Sequence, residues 1–419
     1  MMGTLSVPPQ EGENGPVERA ADSRASGTSL NASRLTYQLT QSPRAIPGPN
    51  SPELWAQGEA TDHMILAHYD AGNGGWAAPT LVPYGPLSIM PTAATLHYAT
   101  QCFEGMKLYR GIDGELRLLR PRHNAERMRK SAARVSLPDF PADQLVELIA
   151  ALAATDAPRW LPRTRPGTYL YVRPTLIATQ PSLAIKKASE ALLYILLVCF
   201  PDFDQPSGSL GPPPSQDGKQ MVSEEQRAGL RLLASHKTMV RAWPGGFGDC
   251  KVGANYGPSI VASASAAEQG FDQILWLIGS EEWVTEAGAC NFFAVVKPKG
   301  GTGKSQLLTA SLDEGVVLPG VTRASILELA DTMFASEVEV VERKFSIHEL
   351  LEAAGGDNVV ECFVAGTAFF ITSVGEIGYN GGILKVPVGG DESLSKRLRE
   401  RLWAIMHGAV EHPWAYKIA

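Results

Sequence analysis

Apolar residues recur along this chain with two alternating periods. Runs in which every other residue, or nearly every residue, is apolar read as strands; stretches with apolar residues three and four apart read as helices. The segments GMKLYRG (105–111) and ELRLLRP (115–121) flank Asp113-Gly114, a dipeptide suited to a tight hairpin. Pro121 then opens a helical pattern, RHNAERMRKSAARV, and a second helix follows in PADQLVELIAALAAT, with proline at its first turn. TYLYVRPTLIAT and ALLYILLVCF read as strands.

Beyond residue 226 the alternation resumes. LRLLASHKTMVRAW (230–243) reads as a strand, PSIVASASAAEQG as a helix, QILWLIG with EEWVTEAG as a hairpin, and FFAVVK with SQLLTA as a second pair. VTRASILELADTM is helical, EVEVVERKF extended, SIHELLEAA helical, VVECFVAG and FFITSVGEIGY extended, and a last helix runs from about Glu392 to Met406. Mixed hairpins and helices in both halves give an α+β class. Two stretches fall outside these patterns. Residues 1–50, rich in Pro, Ser, Gly, Asn and Gln, read as a disordered arm. Residues 204–226, in a stretch dominated by Pro, Gly and Ser, read as a linker. The expected domains are therefore 51–203, smaller, and 227–419, larger.

Composition narrows the function classes. Of 419 residues, 44% are apolar and 19% charged, an ordinary globular balance. A net charge of −7 argues against nucleic acid or an anionic membrane as partner. The longest apolar run, 191–200, is too short to span a bilayer. Five cysteines without CxxC spacing argue against a disulfide scaffold or a metal site, and fit buried small hydrophobes in a reducing compartment. Glu11, Glu13, Glu18 and Asp22 offset Arg19, Arg24 and Arg34, so the leading segment points to the cytoplasm, with a mitochondrial presequence the alternative. KPKGGTGKSQ (297–306) imitates a phosphate-binding loop, but Pro298 stands where that pattern needs glycine. It also joins two strands, so a hairpin tip is the better reading.

The chemistry gathers around GDCKVGANYGP (248–258). Lys251 lies among glycines and apolar residues, where desolvation favours the neutral amine and so a nucleophile able to form a Schiff base. A snorkelling lysine is the plainer alternative. If the Schiff base is with pyridoxal phosphate, three further groups are required. A carboxylate must face the pyridine nitrogen, and an arginine with free N–H groups must hold the phosphate. A donor must also meet the phenolic oxygen. Glu286, in an apolar strand that turns at Gly288, is a carboxylate needing a positive partner. Val321 and Thr322 begin a helix after Pro319-Gly320, with N–H groups that lack intrahelical acceptors. Gly366 and Thr367 offer another donor-rich turn, although a helix cap and a β-turn explain these two sites as well.

The ordered set LHYATQCFEGMKLYRG, RLLRPRHNAERMRKSA, LYVRP, VRAWPGGFGDCKVGANYGP, TEAGACNFF, LPGVTRAS and GTA resembles the branched-chain amino acid aminotransferases, fold type IV pyridoxal phosphate enzymes, from about Thr61 to about Trp414. The resemblance implies a two-domain fold like that of D-amino acid aminotransferase. It implies that Lys251 carries the Schiff base and shuttles the proton, that Glu286 pairs with the pyridinium nitrogen, and that Tyr256 bonds the phenolic oxygen. Arg127, Val321, Thr322 and Thr367 would hold the phosphate, with Arg241 near the cofactor or in a surface ion pair. Tyr98, Phe103, Tyr171, Arg173, Thr367 and Ala368 would form the substrate side, Arg173 and Tyr98 receiving the γ-carboxylate of glutamate. The implied reaction moves an amino group from leucine, isoleucine or valine to 2-oxoglutarate in a homodimer. A shifted specificity, a D-amino acid aminotransferase or an aminodeoxychorismate lyase is the alternative. Departures from the family include Phe369-Phe370-Ile371-Thr372, where some members carry a CxxC pair, and Ala289, where some carry threonine.

Overall fold

The computed structural model describes residues 28–48, 51–164, 168–201, 229–298, 300, 303–368 and 370–418. The expected linker and residues 1–27 lie outside the described residues. From Thr28 to Gly48 the expected disordered arm is ordered instead. Leu30 is 1% exposed within the first core, Thr36 and Tyr37 pair in parallel with Thr80 and Leu81, and the Thr40 N–H donates to His63 Nε2 at 3.0 Å. Leu30, with Ala32 and Leu35 packed beside it, main-chain pairing and the Arg44–Glu59 ion pair hold a segment whose composition is otherwise that of a loop.

Among the described residues, two sheets carry the fold. The first contains β1 (Thr36–Tyr37), β2 (His63–Asp70), β3 (Gly75–Trp76), β4 (Thr80–Pro83), β5 (Gln101–Phe103), β6 (Met106–Arg110), β7 (Leu116–Leu119), β8 (Tyr169–Ala178) and β9 (Glu190–Cys199). The short helices α1 (Pro52–Trp55) and α2 (Ala94–Tyr98) lie between its strands in sequence. The longer helices α3 (Pro121–Arg134) and α4 (Ala142–Trp160) pack on it through Met128, Leu145, Leu148, Ile149 and Leu152. The second sheet contains β10 (Leu230–Ala234), β11 (Gln273–Ile278), β12 (Trp283–Ala287), β13 (Cys290–Val296), β14 (Ser305–Thr309), β15 (Val338–Glu342), β16 (Val359–Gly366), β17 (Phe370–Tyr379) and β18 (Gly382–Lys385). Around it run α5 (Gly257–Glu268), α6 (Val321–Met333), α7 (Ile347–Gly355) and α8 (Leu394–Met406).

Three features of this topology position the site. First, β12 pairs with both β11 and β13, which closes β12-β11-β10-β17-β16-β13 into a ring. The closing register sets Glu286 opposite Asn291. Second, β5 and β6 face β8 in one register, Phe103 opposite Thr175 and Met106 opposite Val172, but the strand is broken at Glu104-Gly105. The break lies against Pro174, which accepts the Glu104 N–H at 2.9 Å and has no N–H to return. Third, the chain end comes back as β19 (Ala415–Ile418), antiparallel to β7 in the first sheet. Tyr109 and Tyr169 of the first sheet share a core with α6 and α8, while Cys250 and Val252 enter the core of the first sheet. The two halves therefore interlock.

The α+β reading and most elements agree with the pattern in the sequence. The strand expected over 230–243 ends at Ala234, because the chain then leaves the sheet and buries Arg241 and Ala242 in the interior. Their burial sustains the apolar rhythm without a ladder. The strands flanking GGTGKS pair antiparallel, Val296 opposite Gln306, as a hairpin requires.

Replacing Leu30 by Ala is expected to lower unfolding stability by about 2–5 kcal/mol, as for other fully buried leucines. A urea midpoint unchanged from wild type would show that residues 28–48 are not part of the cooperative fold.

Candidate active site

The break between β5 and β6 turns Glu104 into the interior, where it is 0% exposed. Its carboxylate takes a forked pair of bonds from Arg127 on α3, Nε at 2.7 Å and Nη2 at 2.8 Å, and a third from Asn124 Nδ2 at 2.9 Å. Burial opposes ionisation of Glu104, but Arg127, Lys251 and Asn124 together hold it below the ordinary carboxylate value. Arg127 also donates through Nη1 to the Pro319 carbonyl at 3.0 Å. A guanidinium has five N–H donors, so two remain uncommitted beside the start of α6.

Lys251 sits between the two halves. Its N–H donates to Ser131 Oγ of α3 at 2.8 Å, and its carbonyl accepts the Phe103 N–H at 3.1 Å. The side chain reaches Tyr256 Oη at 3.2 Å, with the Phe103 ring centroid 5.1 Å from Nζ. Among the described residues it forms no salt bridge. Gly248 in the same segment is needed for close packing: a Cβ there would come within 2.6 Å of the Val316 backbone. Cys250 is buried, and desolvation with Asp249 pushes its thiol up to about 11, which suits a packing role.

Glu286 is buried where the ring of strands closes. Asn291 Nδ2 donates to its Oε1 at 3.3 Å and to the Leu318 carbonyl at 2.9 Å, tying the carboxylate to the Leu318–Gly320 turn. Arg241 Nη1 lies 2.5 Å from Oε2 as an ion pair without the alignment of a hydrogen bond, so Oε2 keeps a lone pair for a further donor. Arg241 is thus a buried partner of Glu286 rather than part of a surface ion pair. Burial pushes Glu286 above the ordinary carboxylate value, opposed by Arg241, Lys251 and Arg127.

Two cavities adjoin the Leu318–Gly320 turn. One is lined by Leu318 with Arg241, Asn255, Tyr256, Gln273 and Ala289. The other is lined by Val321 and Thr322 with Lys107, Asn124, Gly366 and Thr367. No side chain caps α6, whose N-cap is Gly320, so the Val321 and Thr322 N–H groups face outward unpaired within the helix. Thr367 Oγ1 donates to the Gly105 carbonyl at 3.3 Å, and Lys107 Nζ donates to the Ala368 carbonyl at 3.1 Å.

On the opposite side, Arg173 lies with its guanidinium carbon 4.7 Å from the Phe103 centroid and 5.1 Å from that of Tyr171. Its Nε is buried without a hydrogen-bond partner. Tyr171 stacks on Phe200 at 4.5 Å, and its Oη occupies space that a Cβ at Gly105 would fill, 1.9 Å away. Tyr98 is not brought to this group. It is 38% exposed on α2, and its hydroxyl donates to the Leu183 carbonyl. Phe370 is buried in the core shared with Leu398 and Met406, so its bulk goes into packing with one edge on the second cavity; Phe369 lies outside the described residues.

The Amino-transferase class IV family profile matches residues 101–377. The chain is 39% identical to a branched-chain-amino-acid aminotransferase of Monosiga brevicollis over 421 aligned residues, with 100% of each chain covered. It is 38% identical to a mitochondrial branched-chain-amino-acid aminotransferase of Rattus norvegicus, covering 94% of each. The chain belongs to the branched-chain amino acid aminotransferase family of class IV. This aminotransferase also shares its fold with the branched-chain amino acid aminotransferase of Escherichia coli, with TM-score 0.61 and 22% identity over 85% of this chain and 98% of that one. Its relatives include forms named cytosolic as well as mitochondrial, and no helix among the described residues is long and apolar enough to cross a membrane.

Reading the aminotransferase sequence missed Glu104, Ser131 and Asn291. The signal for Glu104 was present: a lone Arg127 on the inner face of a helix demands a buried anion, and EGMK supplies one next to a chain-breaking glycine. Glu104→Gln is expected to cost about 3–5 kcal/mol, because Arg127 is left buried without its carboxylate. The folded Glu104 has a lowered pKa, so its contribution is present above the unfolded carboxylate value and is lost as pH falls through the folded one. Urea titrations between neutral and acid pH should therefore show a flatter acid limb in the Gln variant; parallel curves would contradict the ion pair.

Proposed function

We propose that this protein transfers the amino group of leucine, isoleucine or valine to 2-oxoglutarate, giving branched-chain 2-oxo acids and L-glutamate, with pyridoxal 5′-phosphate held on Lys251. The observation that carries the reading is the Lys251 amine, in no salt bridge among the described residues and 3.2 Å from Tyr256 Oη, set between the Glu286 carboxylate and an uncapped helix start. The residues present fit the cofactor at each end. Glu286 Oε2 has a free position for a pyridinium N–H, and the Val321 and Thr322 N–H groups with two spare Arg127 donors form a cradle for a phosphate.

When bound, the cofactor supplies an electron sink for the pair left at the substrate Cα. Lys251 would hold it through its amine and, freed of that bond, would take the proton from the substrate Cα as general base and deliver it as general acid to the cofactor carbon on the other side of the amine nitrogen. Glu286, its carboxylate fixed by Arg241 and Asn291, would keep a proton on the ring nitrogen. Tyr256 offers its hydroxyl to the phenolic oxygen and holds the lysine amine in reach. Phe103 and Tyr171 would give the aliphatic side chain an aromatic wall, and Arg173, which lies over both rings, would give the γ-carboxylate of glutamate a cationic partner. The Thr367 hydroxyl would turn from the Gly105 carbonyl to support the phosphate, and the Thr367 and Ala368 main chain, steadied by Lys107, would lie beside the substrate.

The protein acts as a homodimer in the cytoplasm in this reading. Tyr98 and Leu96 on α2 and Leu183 and Ile185 nearby are all exposed, a patch that a second copy would cover.

Turnover of a panel of L-amino acids with 2-oxoglutarate should favour leucine, isoleucine and valine, and chiral assay should find L-glutamate. A preference for D-amino acids would replace the reading. Lys251→Ala should lose both the visible cofactor absorbance and measurable turnover. Arg127→Lys keeps a charge for Glu104 but not the fork, and should retain cofactor roughly tenfold less well after dialysis. Equal retention would remove Arg127 from the phosphate site.

A further inference from the structure

Helix α3 presents Arg127, Ser131 and Arg134 at positions i, i+4 and i+7, one above another on the same face. All three bond to segments needed for the reading above. Arg127 reaches Glu104 and the Pro319 carbonyl. Arg134 Nη2 reaches the Gly245 and Gly246 carbonyls at 2.9 and 3.2 Å. Between them Ser131, 0% exposed, donates its hydroxyl to the Arg127 carbonyl at 2.9 Å and accepts the Lys251 N–H at 2.8 Å. Serine within a helix often bonds back to the carbonyl four residues earlier with no further consequence. Here that bond orients the oxygen lone pair towards a residue 120 positions away in sequence.

We propose that Ser131 is a positioning residue for the reactive lysine, setting Nζ at a fixed distance from the Arg127 end of the site through the Lys251 main chain. The inference rests on the proposed function and adds a residue to it. On one side the Lys251 carbonyl is held by the Phe103 N–H, and Val252 is bridged to Cys102. On the other side the N–H is held by Ser131 Oγ alone among described contacts. Without that acceptor, the Lys251 peptide turns about its remaining anchor, and a long side chain carries a small rotation out to Nζ. Reaction geometry tolerates little displacement: about 1 Å of misplacement can cost a hundredfold in rate. Binding of substrate does not pass through this peptide, so the effect falls on turnover.

The test compares Ser131→Ala with Lys130→Ala, which breaks only the partly exposed pair with Asp249 on the same segment. Alanine is a stronger helix former than serine, so α3 should persist. In the holoenzyme Ser131→Ala should lower kcat about tenfold or more, with KM for leucine and 2-oxoglutarate within about twofold. The pH titration of the bound-cofactor absorbance should also shift its midpoint. In cofactor-free protein, hydrogen exchange of the peptide containing Lys251 should quicken by about tenfold. Lys130→Ala should leave all three near wild type. Wild-type kcat, titration and exchange in Ser131→Ala overturn the proposal, as does a Lys130→Ala variant with the same changes, which would mean general loosening. A wild-type protein with neither cofactor absorbance nor transamination defeats the proposed function instead, and the exchange measurement, made without cofactor, separates that failure from this one.

Discussion

The site is organised by a single buried ion pair, Glu104 with Arg127. A carboxylate 0% exposed in the interior is tolerable only when its oxygens are filled, and Arg127 and Asn124 fill them. Satisfying Glu104 requires the β5–β6 strand to break beside Pro174, and it fixes α3 against that break. Once α3 is fixed, Arg127 meets the turn before α6 and Ser131 meets Lys251. The reactive amine and the uncapped helix start are thus measured from one helix.

Charge balance explains what that arrangement leaves over. Two buried carboxylates, Glu104 and Glu286, each lie against a buried guanidinium, Arg127 and Arg241. Lys251 lies between them with no salt bridge among the described residues, and the α6 start adds the positive end of a helix dipole. The pocket therefore presents an excess of positive character, which an anionic cofactor would neutralise. Asn291 links the two ends mechanically, because one amide nitrogen serves both Glu286 and the Leu318 carbonyl.

Much of this was legible in the sequence, for reasons that differ by residue. The helix over 321–333 is announced by Pro-Gly before it and by its apolar spacing, and Glu286 by its isolation among apolar neighbours. The strand over 230–243 was overread: burial of Arg241 and Ala242 mimics a strand beyond Ala234. The arm was underread, since Leu30 acts through one insertion that composition does not register. The closing strand Ala415–Ile418 was missed because four residues carry too little periodicity, and its partner β7 lies some three hundred positions earlier.

What the sequence by itself determined is the list of chemical parts and their local frames: a lysine among glycines, a carboxylate in a strand, an arginine on a helix, a helix start without a cap. Local frames follow from short-range rules of periodicity, capping and turns. What only the tertiary structure decided is which parts meet. It put Glu104 on Arg127, Arg241 on Glu286 and Ser131 on Lys251, and it left Tyr98 on the outer surface. These pairings join residues far apart in the chain. They are set by the closure of the strand ring and by the need to match every buried charge, constraints that act only once the whole chain is packed.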